Sequence, residues 1–546
     1  MRNILVDEKS DLKITRALLS VYDKTGLAEF GGALQNHGVE IVATGGTQLA
    51  LEKAGVNTIP LEKIGHFPEM LDGRVKTLQP EIFAGILARK SSPDHMNQIS
   101  AHGIQPFDMI VCNFYAFEAA ADRATSSEAE LIELIDIGGP SLVRASAKNF
   151  ESVCVVPASK FYGEIQSELD SSDGKISFGT RRKMALKAFE IVSGYDTAIY
   201  NTLSKRMFPE KPFPDSFYLS SGEFEVPKYG ENPDQKAMIY SINGAKGGIS
   251  EWKQIFGDIR SYNNYLDAAS SFEILEGFEA TPAAATVKHG QISGFAFSTS
   301  LDDAYKLAHA CDPEADFGNT TVFNRAIDVE TAKLVGKNGD VDDESVYTEI
   351  VLAPDFEKEA LEILKAKQKK KMRLIRTTSG TDYPYDVKVI QGLTLVQDSP
   401  NYEKKLDPAK VTVETKAKPS GADLLILSGL WEIARRVESN AIVIGGGETS
   451  YRDSKLSKLW TLGVGSFRKR NGATKIALDN AGSRAHGAYC ASDGFFPFPD
   501  SVEMLGEAKI RAVIQPGGSI SDRKVIETSD KYNMPMLFTH ERAFKH

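Results

Sequence analysis

Three stretches in the first 150 residues carry groups that suit an anionic substrate. Thr44-Gly45-Gly46-Thr47 stands between an apolar run and a helical pattern. Glycines let the backbone come close to an anion, and a helix N-terminus aims free N–H groups and positive dipole at it. Lys24, at the preceding strand-to-helix junction, can share that anion. The segment Gly73 to Thr77 puts Arg74 and Lys76 on one face if it is extended. Two cations and the Thr77 hydroxyl suit a phosphorylated or carbonyl-bearing substrate. Asp136 precedes a helix that a carboxylate can cap, Gly138 and Gly139 offer N–H donors, and Lys148 lies at the far end of that helix. Taken singly, the first stretch also reads as a plain helix cap and the second as a surface loop.

A fourth candidate lies in the second half. Lys288-His289 ends an apolar run, Thr281 to Val287, and a turn-like stretch follows from Gly290 to Gly294. Burial disfavours the charged forms of both side chains, so such a pair has a partner or a task. Two satisfied polar groups at a strand end are the plainer reading of the dipeptide alone.

Short apolar runs must position these groups. Residues 16–22, 39–43, 107–114 and 152–157 read as strands, and helical patterns run to about 37, after Thr47, and from about 180 to 205. Such alternation implies βαβ units and a parallel sheet, with ligands at the C-terminal edge. Met207 to Asp215 holds three prolines in nine residues and reads as a linker. Domains of 1–206 and 216–546 follow, the second divided near 375. That second region mixes helices at 301–310, 356–365 and 422–437 with a strand at 441–444. Lys367 to Lys371 reads as a solvated basic helix end. Gly445 to Ser450 lacks the G-K-[ST] ending of a P-loop and reads as a loop. No repeat at a fixed period is visible.

Composition narrows the function. The chain has 546 residues, 42% hydrophobic and 25% charged, as a multidomain globular enzyme has. A net charge of −10 argues against a nucleic-acid surface, so an anionic ligand needs a local site. Cys112, Cys154, Cys311 and Cys490 form no CxxC, and a reducing cytoplasm is the expected compartment. The first ten residues are too charged for a signal peptide, and no apolar run is long enough for a membrane span.

SVYDKTGL, ATGGT, DGRVKTLQPEIFAGIL, CNFYAFE, DIGGPSLVRASAKN and AFEIVSGYD occur in order. Together they resemble the cyclohydrolase half of the bifunctional purine-biosynthesis proteins, which join an AICAR transformylase to an IMP cyclohydrolase. The resemblance implies a methylglyoxal-synthase-like parallel-sheet domain. It implies that Lys24, Thr44, Gly45, Gly46, Thr47, Arg74, Lys76 and Thr77 cradle the nucleotide, and that Asn113, Tyr115, Asp136 and Lys148 surround the closing ring. In that closure a carboxamide nitrogen attacks a formyl carbon and water leaves. The nitrogen is a poor nucleophile, so holding both groups together matters greatly. N–H groups around Ile137-Gly138 suit the developing oxyanion. Lys148 and Asp136 are the expected proton-transfer partners, with Lys76 and Tyr115 assisting.

Further matches follow in the second half. They are Lys228-Tyr229-Gly230-Glu-Asn232-Pro, SYNNYLDAAS from Ser261, Lys288-His289, Glu349 in TEIVLAPDF, Ser439-Asn440, ASDGFFPFPD ending at Asp500, QPGGS from Gln515 through Pro516 and Gly517, and Arg542 in the last five residues. The resemblance implies a duplicated cytidine-deaminase-like transformylase domain that uses 10-formyltetrahydrofolate as cosubstrate. Lys288 and His289 are the residue types to steady a formyl oxygen and take the amine proton. Asn440 can donate to the formyl group or orient His289. Lys228 and Arg542 are phosphate candidates, and Tyr229, Gly230, Asn232 and Glu349 are further substrate contacts. Phe496, Asp500, Gln515, Pro516 and Gly517 are folate candidates, with Phe495 and Phe498 as further ring walls. N–H groups of Gly517, Gly518 and Ser519 are candidate donors to a ligand. The zinc deaminase signature is absent, so no catalytic metal is expected. The expected partners are AICAR, formyl-AICAR and a formyl folate, with a homodimer as the family's usual assembly.

Three departures concern binding loops. The stretch after His289 lacks the family's proline, Gly463 to Arg470 replaces its GxGxGQxSR stretch, and residues around 445–460 look inserted. Asp234 stands for the family's histidine. A cyclohydrolase whose second half only binds nucleotide or mediates assembly is therefore the alternative reading, and a regulatory purine-nucleotide binder the third.

Overall fold

The computed structural model describes residues 10–65, 68–71, 73–123, 125–315, 317–335, 347–368, 372–450 and 455–546. Two compact units divide them. The first takes the residues up to Gly222 with Ile242–Gly244, and the second Glu223–Ser241 with Ala245–His546.

The first unit is built on β1 (Arg16–Ser20), α1 (Leu27–Asn36), β2 (Glu40–Ala43), α2 (Gly45–Lys53), β3 (Ile59–Pro60), α3 (Pro80–Leu87), β4 (Met109–Cys112), α4 (Gly138–Lys148), β5 (Cys154–Val156) and α5 (Phe178–Met207). Its sheet runs β3-β2-β1-β4-β5, and each neighbouring pair is parallel. Ala17, Leu18 and Leu19 are fully buried, as are Ile110, Val111 and Val155. Continuous apolar runs of this kind belong to strands covered on both faces, which is why the sheet is parallel. With every strand pointing one way, Ser20, Ala43, Cys112 and Val156 end on one edge.

The second unit carries a mixed sheet of twelve strands. Its first half comprises β6 (Lys253–Phe256), α6 (Tyr262–Leu275), β7 (Ala283–Lys288), β8 (Gln291–Phe297), α7 (Leu301–His309), β9 (Asn319–Phe323), α8 (Val329–Leu334), β10 (Thr348–Ala353), α9 (Lys358–Gln368) and β11 (Arg373–Arg376). A separate hairpin, β12 (Tyr385–Ile390) and β13 (Leu393–Asp398), comes next. The second half comprises β14 (Thr412–Val413), α10 (Gly421–Ala434), β15 (Ala441–Thr449), β16 (Leu456–Ser466), α11 (Arg470–Ala481), β17 (Tyr489–Ser492), α12 (Asp500–Glu507), β18 (Ala512–Gln515), α13 (Asp522–Lys531) and β19 (Met536–Phe538).

The strand order is β6-β11-β10-β9-β7-β8-β16-β15-β17-β18-β19-β14. Each half runs strand, helix, hairpin, helix, strand, helix, strand, helix, strand, so the sheet is an internal duplication. No fixed-period repeat is visible in the sequence because the halves share element order and packing rather than residues.

Gly290 to Gly294 is not a turn: from Gln291 onward it is β8. Gly294 is a glycine because a Cβ there would stand 1.9 Å from the Ala308 carbonyl oxygen of α7. Gly445 to Thr449 is strand rather than loop, part of the long β15–β16 hairpin. A Cβ at Gly445 would meet Trp460 O at 2.4 Å and Leu430 Cδ2 at 2.5 Å, so the glycine serves close helix-on-sheet packing. Residues 445–460 therefore belong to this hairpin, with 451–454 outside the described residues. Lys367 is not a solvated helix end. Its ammonium bonds the carbonyls of Ala332, Lys333 and Val335 at 2.8, 2.5 and 2.7 Å, capping the C-terminus of α8. Lys369 to Lys371 lie outside the described residues.

Candidate active sites

At the C-terminal edge of the parallel sheet, the loops after β1, β2 and β4 meet. Thr47 Oγ1 accepts from the Val21 N–H at 3.0 Å and donates to the Val21 carbonyl at 3.1 Å. Asn113, just past β4, accepts from the N–H groups of Tyr22 (2.5 Å) and Asp23 (3.0 Å) and donates to the Asp23 carbonyl at 3.0 Å. These two side chains therefore build the loop that holds Lys24. The Lys24 ammonium turns back onto the Val21 carbonyl, and burial lowers its pKa.

Helix α2 starts at Gly45, and its N-cap, Thr44, makes no capping bond to it. Its first-turn N–H groups are thus left for a ligand. The Lys76 ammonium stands 3.2 Å from the point where a Cβ at Gly45 would lie, and 2.5 Å from Glu69 Oε2. Arg74 is ion-paired with Glu133 on the exposed rim. Thr77 Oγ1 would lie 2.6 Å from a Cβ at Gly138, so only glycine lets α4 start against that hydroxyl.

Asp136 Oδ1 accepts the Gly139 N–H at 2.8 Å, and the Asp136 N–H is held by the Tyr195 hydroxyl at 2.9 Å. Burial raises the Asp136 pKa against the lowering effect of the Gly139, Tyr115 and Gly138 N–H groups. Tyr115 packs edge-on to Tyr22 at 5.3 Å, and burial, then the Asp136 charge, raises its pKa. Ile137 is exposed beside it.

Lys24, Thr44, Gly45, Gly46, Thr47, Lys76, Thr77, Asn113, Tyr115, Asp136, Ile137 and Gly138 thus share one edge, with Arg74 at its rim. Lys148 is the exception. It is exposed at the C-terminus of α4, and eleven helical residues put it about 15 Å from the end that carries Asp136. Glu69, Tyr22 and Tyr195 join this edge although no sequence spacing ties them to the groups they contact.

In the second unit His289 and Gly290 form the tip of the β7–β8 hairpin. Their φ angles are +51° and +74°, and Lys288↔Gln291 is the pair that closes it. Positive φ at both central residues is the turn that matches strand twist. Asp267 of α6 accepts the Gly290 N–H at 2.9 Å and so holds the tip; burial raises its pKa. Asp267 lies within the SYNNYLDAAS stretch, where nothing local in the sequence ties it to the hairpin tip.

The two half-sheets join at Ala296↔Trp460 and Phe297↔Leu459. Next along, the Thr461 hydroxyl replaces a backbone partner, bonding the Phe295 N–H at 2.9 Å and its carbonyl at 3.3 Å. The seam points toward the ends that carry Lys288-His289 on one side and Ser466, Phe467 and Asn440 on the other. The C-terminal ends of β17, β18 and β19 lie on this same edge. Asn440 bonds the Phe467 carbonyl and Arg470.

The remaining candidates divide. Glu349 accepts from Asn264 at 2.9 Å and Arg373 at 3.1 Å. The Lys228 ammonium lies over the Tyr229 ring at 5.7 Å, and Arg542 is exposed with its guanidinium over Phe544. Gly230 and Asn232 close a local loop on Gln235. Phe496 and Gln515 have no exposed surface, and Pro516 and Gly517 are buried. Gln515 Oε1 takes the Gly517 N–H, while Asp522 takes those of Gly518 and Ser519. The N–H donors expected for a ligand are therefore spent internally, and Phe496 is core. Phe495 and Phe498, at 38% and 64% exposure, present the free rings instead, beside Asp500. Asp500 accepts from Asn471 at 2.9 Å.

A family model described as AICARFT/IMPCHase bienzyme matches residues 146–480, and one described as MGS-like domain matches residues 26–141. A relative from Listeria monocytogenes serotype 4b, named bifunctional purine biosynthesis protein PurH, is 39% identical over 97% of this chain and 100% of its own. A relative of the same name from Halalkalibacterium halodurans is 38% identical over 97% of this chain and 99% of its own. A solved structure described as the crystal structure of ForH is 29% identical, covers 35% of this chain and 99% of that one, and has a TM-score of 0.32.

Proposed function

The chain belongs to the AICARFT/IMPCHase bienzyme family, and from that premise we propose how its two sheet edges divide the work of a bifunctional purine-biosynthesis enzyme. The second unit transfers a formyl group from 10-formyltetrahydrofolate to AICAR, and the first closes formyl-AICAR to IMP with loss of water. The observation that carries this division is the pair of separate clusters, one on each unit's sheet edge. Nearly full-length likeness to bifunctional relatives favours it over a second half that only binds nucleotide.

In the first unit, the free N–H groups of α2 with Lys24, Arg74 and Lys76 hold the nucleotide phosphate. Asp136 and Tyr115 face the closing ring. The carboxamide nitrogen bonds to the formyl carbon, and its proton passes to Asp136. The N–H groups at Ile137 and Gly138 offset the charge on the formyl oxygen. That oxygen takes the proton back from Asp136 to become a hydroxyl, which leaves as water with the proton of the formamide nitrogen as the ring C=N bond forms.

In the second unit, Lys288 and His289 stand at the seam between the half-sheets, where ligands of open sheets collect. His289 takes the amine proton and Lys288 faces the formyl oxygen. Lys228, Tyr229, Glu349 and Arg542 contact the nucleotide, and Asp500 with Phe495 and Phe498 contacts the pterin. A homodimer in the cytoplasm completes the proposal; no described helix is long and apolar enough to cross a membrane.

Enzyme mixed with AICAR and 10-formyltetrahydrofolate is expected to yield IMP. If neither IMP nor formyl-AICAR forms, the catalytic reading fails. Closure of supplied formyl-AICAR without formyl transfer would leave only the first unit active.

A further inference from the structure

The segment that carries Asp136 rests on a small apolar cluster of its own, apart from the main core of the first unit. Phe117, Ala120, Leu131 and Tyr195 are its buried members, and Phe114, Leu134 and Ile135 pack against them. Three pieces of chain meet there. They are the loop after β4 with the short helix Phe117–Ala121, the short helix Glu128–Glu133 with the residues after it, and α5. Of the four buried side chains only that of Tyr195, on α5, carries a polar group.

The Tyr195 ring packs against Phe114 at 5.0 Å and Phe117 at 6.3 Å. Its hydroxyl donates to the Leu134 carbonyl at 3.1 Å and accepts the Asp136 N–H at 2.9 Å. One oxygen therefore holds the chain on both sides of Ile135, directly before α4 begins. A phenol suits this place, because its ring can be buried among apolar groups while its hydroxyl both donates and accepts. On the far side of the turn, the Asp136 carboxylate accepts the Gly139 N–H at 2.8 Å, and the Tyr115 and Gly138 N–H groups also bond it. Phe114 closes the arrangement: its Cδ1 would lie 3.0 Å from a Cβ at Gly139, so it fills the space between α4 and the Tyr195 ring.

We propose that Tyr195 is a positioning residue for ring closure, its hydroxyl fixing the turn from Leu134 to Asp136 and with it the place of the Asp136 carboxylate against the closing ring. The inference rests on the reading of Asp136 as the base of the first unit. The single hydroxyl proton of Tyr195 is spent on Leu134, so the residue acts on the substrate only through the segment it holds. Placement matters here because a shift of about 1 Å at a reacting group costs up to about 100-fold in rate.

Tyr195→Phe tests this, since it keeps the ring and its packing and removes only the hydroxyl. The kcat for closure of supplied formyl-AICAR is expected to fall about tenfold, with KM changed less than about twofold. KM should hold because the phosphate is bound at α2, away from the released turn. Formyl transfer to AICAR should be unchanged. A general loss of structure would lower both activities together, so this split separates positioning from stability. In an Asp136→Asn background, Tyr195→Phe should add no further loss, because it acts through Asp136.

Retention of closure kcat within about twofold of wild type would overturn the proposal, as would a tenfold loss that persists in the Asp136→Asn background. Should Asp136→Asn leave no measurable closure, the behaviour of the single variant decides: a rise in KM with kcat unchanged, or an equal fall in formyl transfer, would overturn it. Absence of closure by the wild-type enzyme, or full closure by Asp136→Asn alone, would instead count against the reading of the first unit and its base.

Discussion

The ammonium of Lys76 lies 3.2 Å from where a side chain would leave Gly45. A cation and the open N-terminus of α2 are thereby focused on one spot, within reach of a single anion. Gly45→Ala inserts a methyl between them. Lys76 is flexible and can move aside, so the thermal midpoint should change little. KM for formyl-AICAR in ring closure should rise about tenfold with a smaller change in kcat, because binding to the phosphate is lost equally in ground and transition states. Steady-state closure kinetics with a melting curve decide it; a fall in stability matching the loss of activity would point to packing instead.

His289 occupies a left-handed backbone conformation at the hairpin tip. For a non-glycine residue that costs about 1 kcal/mol, which glycine does not incur. His289→Gly should therefore be at least as stable as wild type while formyl transfer falls about 100-fold or more. Closure should be untouched. Equal loss of both activities would mean that the two sites are not separate.

Burial holds the Asp136 carboxyl above the usual aspartate range. As the proposed base it must be ionised, so closure should be slow below its pKa and rise to a plateau above it. The acid limb is expected at a higher pH than an ordinary aspartate gives, above about 4. Asp136→Asn should lower the plateau and remove that limb. A limb that persists unchanged in the variant would assign it to another group.

Asp423 offers a test of stability. Burial pushes its pKa up, but hydrogen bonds from the Tyr489 hydroxyl (2.6 Å), Arg511 Nε (2.8 Å) and the Ser420 N–H (2.8 Å) outweigh it and bring the carboxyl down to about 2. A depressed carboxylate stabilises the fold above its unfolded pKa of about 3.9, and the gain is lost as pH falls toward 2. The contribution at neutral pH is about 2 kcal/mol. Asp423→Asn should lower the thermal midpoint at pH 7 and flatten its pH dependence between 4 and 2. An unchanged slope would show that the carboxylate is equally stabilised in the unfolded chain.

Motifs in the first half were legible because each sits at a strand-to-helix junction, where local sequence encodes both glycine and charge. The parallel sheet was legible for the same reason: within the apolar runs at 16–22 and 107–114, residues 16–19 and 107–112 are all buried, and that leaves a continuous pattern. The β7–β8 turn was misplaced because Gly290 and Gly294 look alike in sequence. One is needed for positive φ, whereas the other makes room for the Ala308 carbonyl of a helix. Phe496 and Phe498 differ just as little in sequence, yet one is core and the other exposed.

Residue types and their order were enough to locate the two chemistries: cations and glycines before helices in the first unit, and a Lys-His pair ending a strand in the second. Only the tertiary structure decided which of those groups have capacity left for a ligand. Thr47 and Asn113 spend theirs on backbone partners, Gln515 bonds the Gly517 N–H and Met536, Lys148 stands at the far end of its helix, and Arg470 joins Asn440 from the start of α11. The reason is physical. A hydrogen bond is satisfied by whatever the fold brings within about 3 Å, and that partner is chosen by packing across the sheet, which no local pattern records.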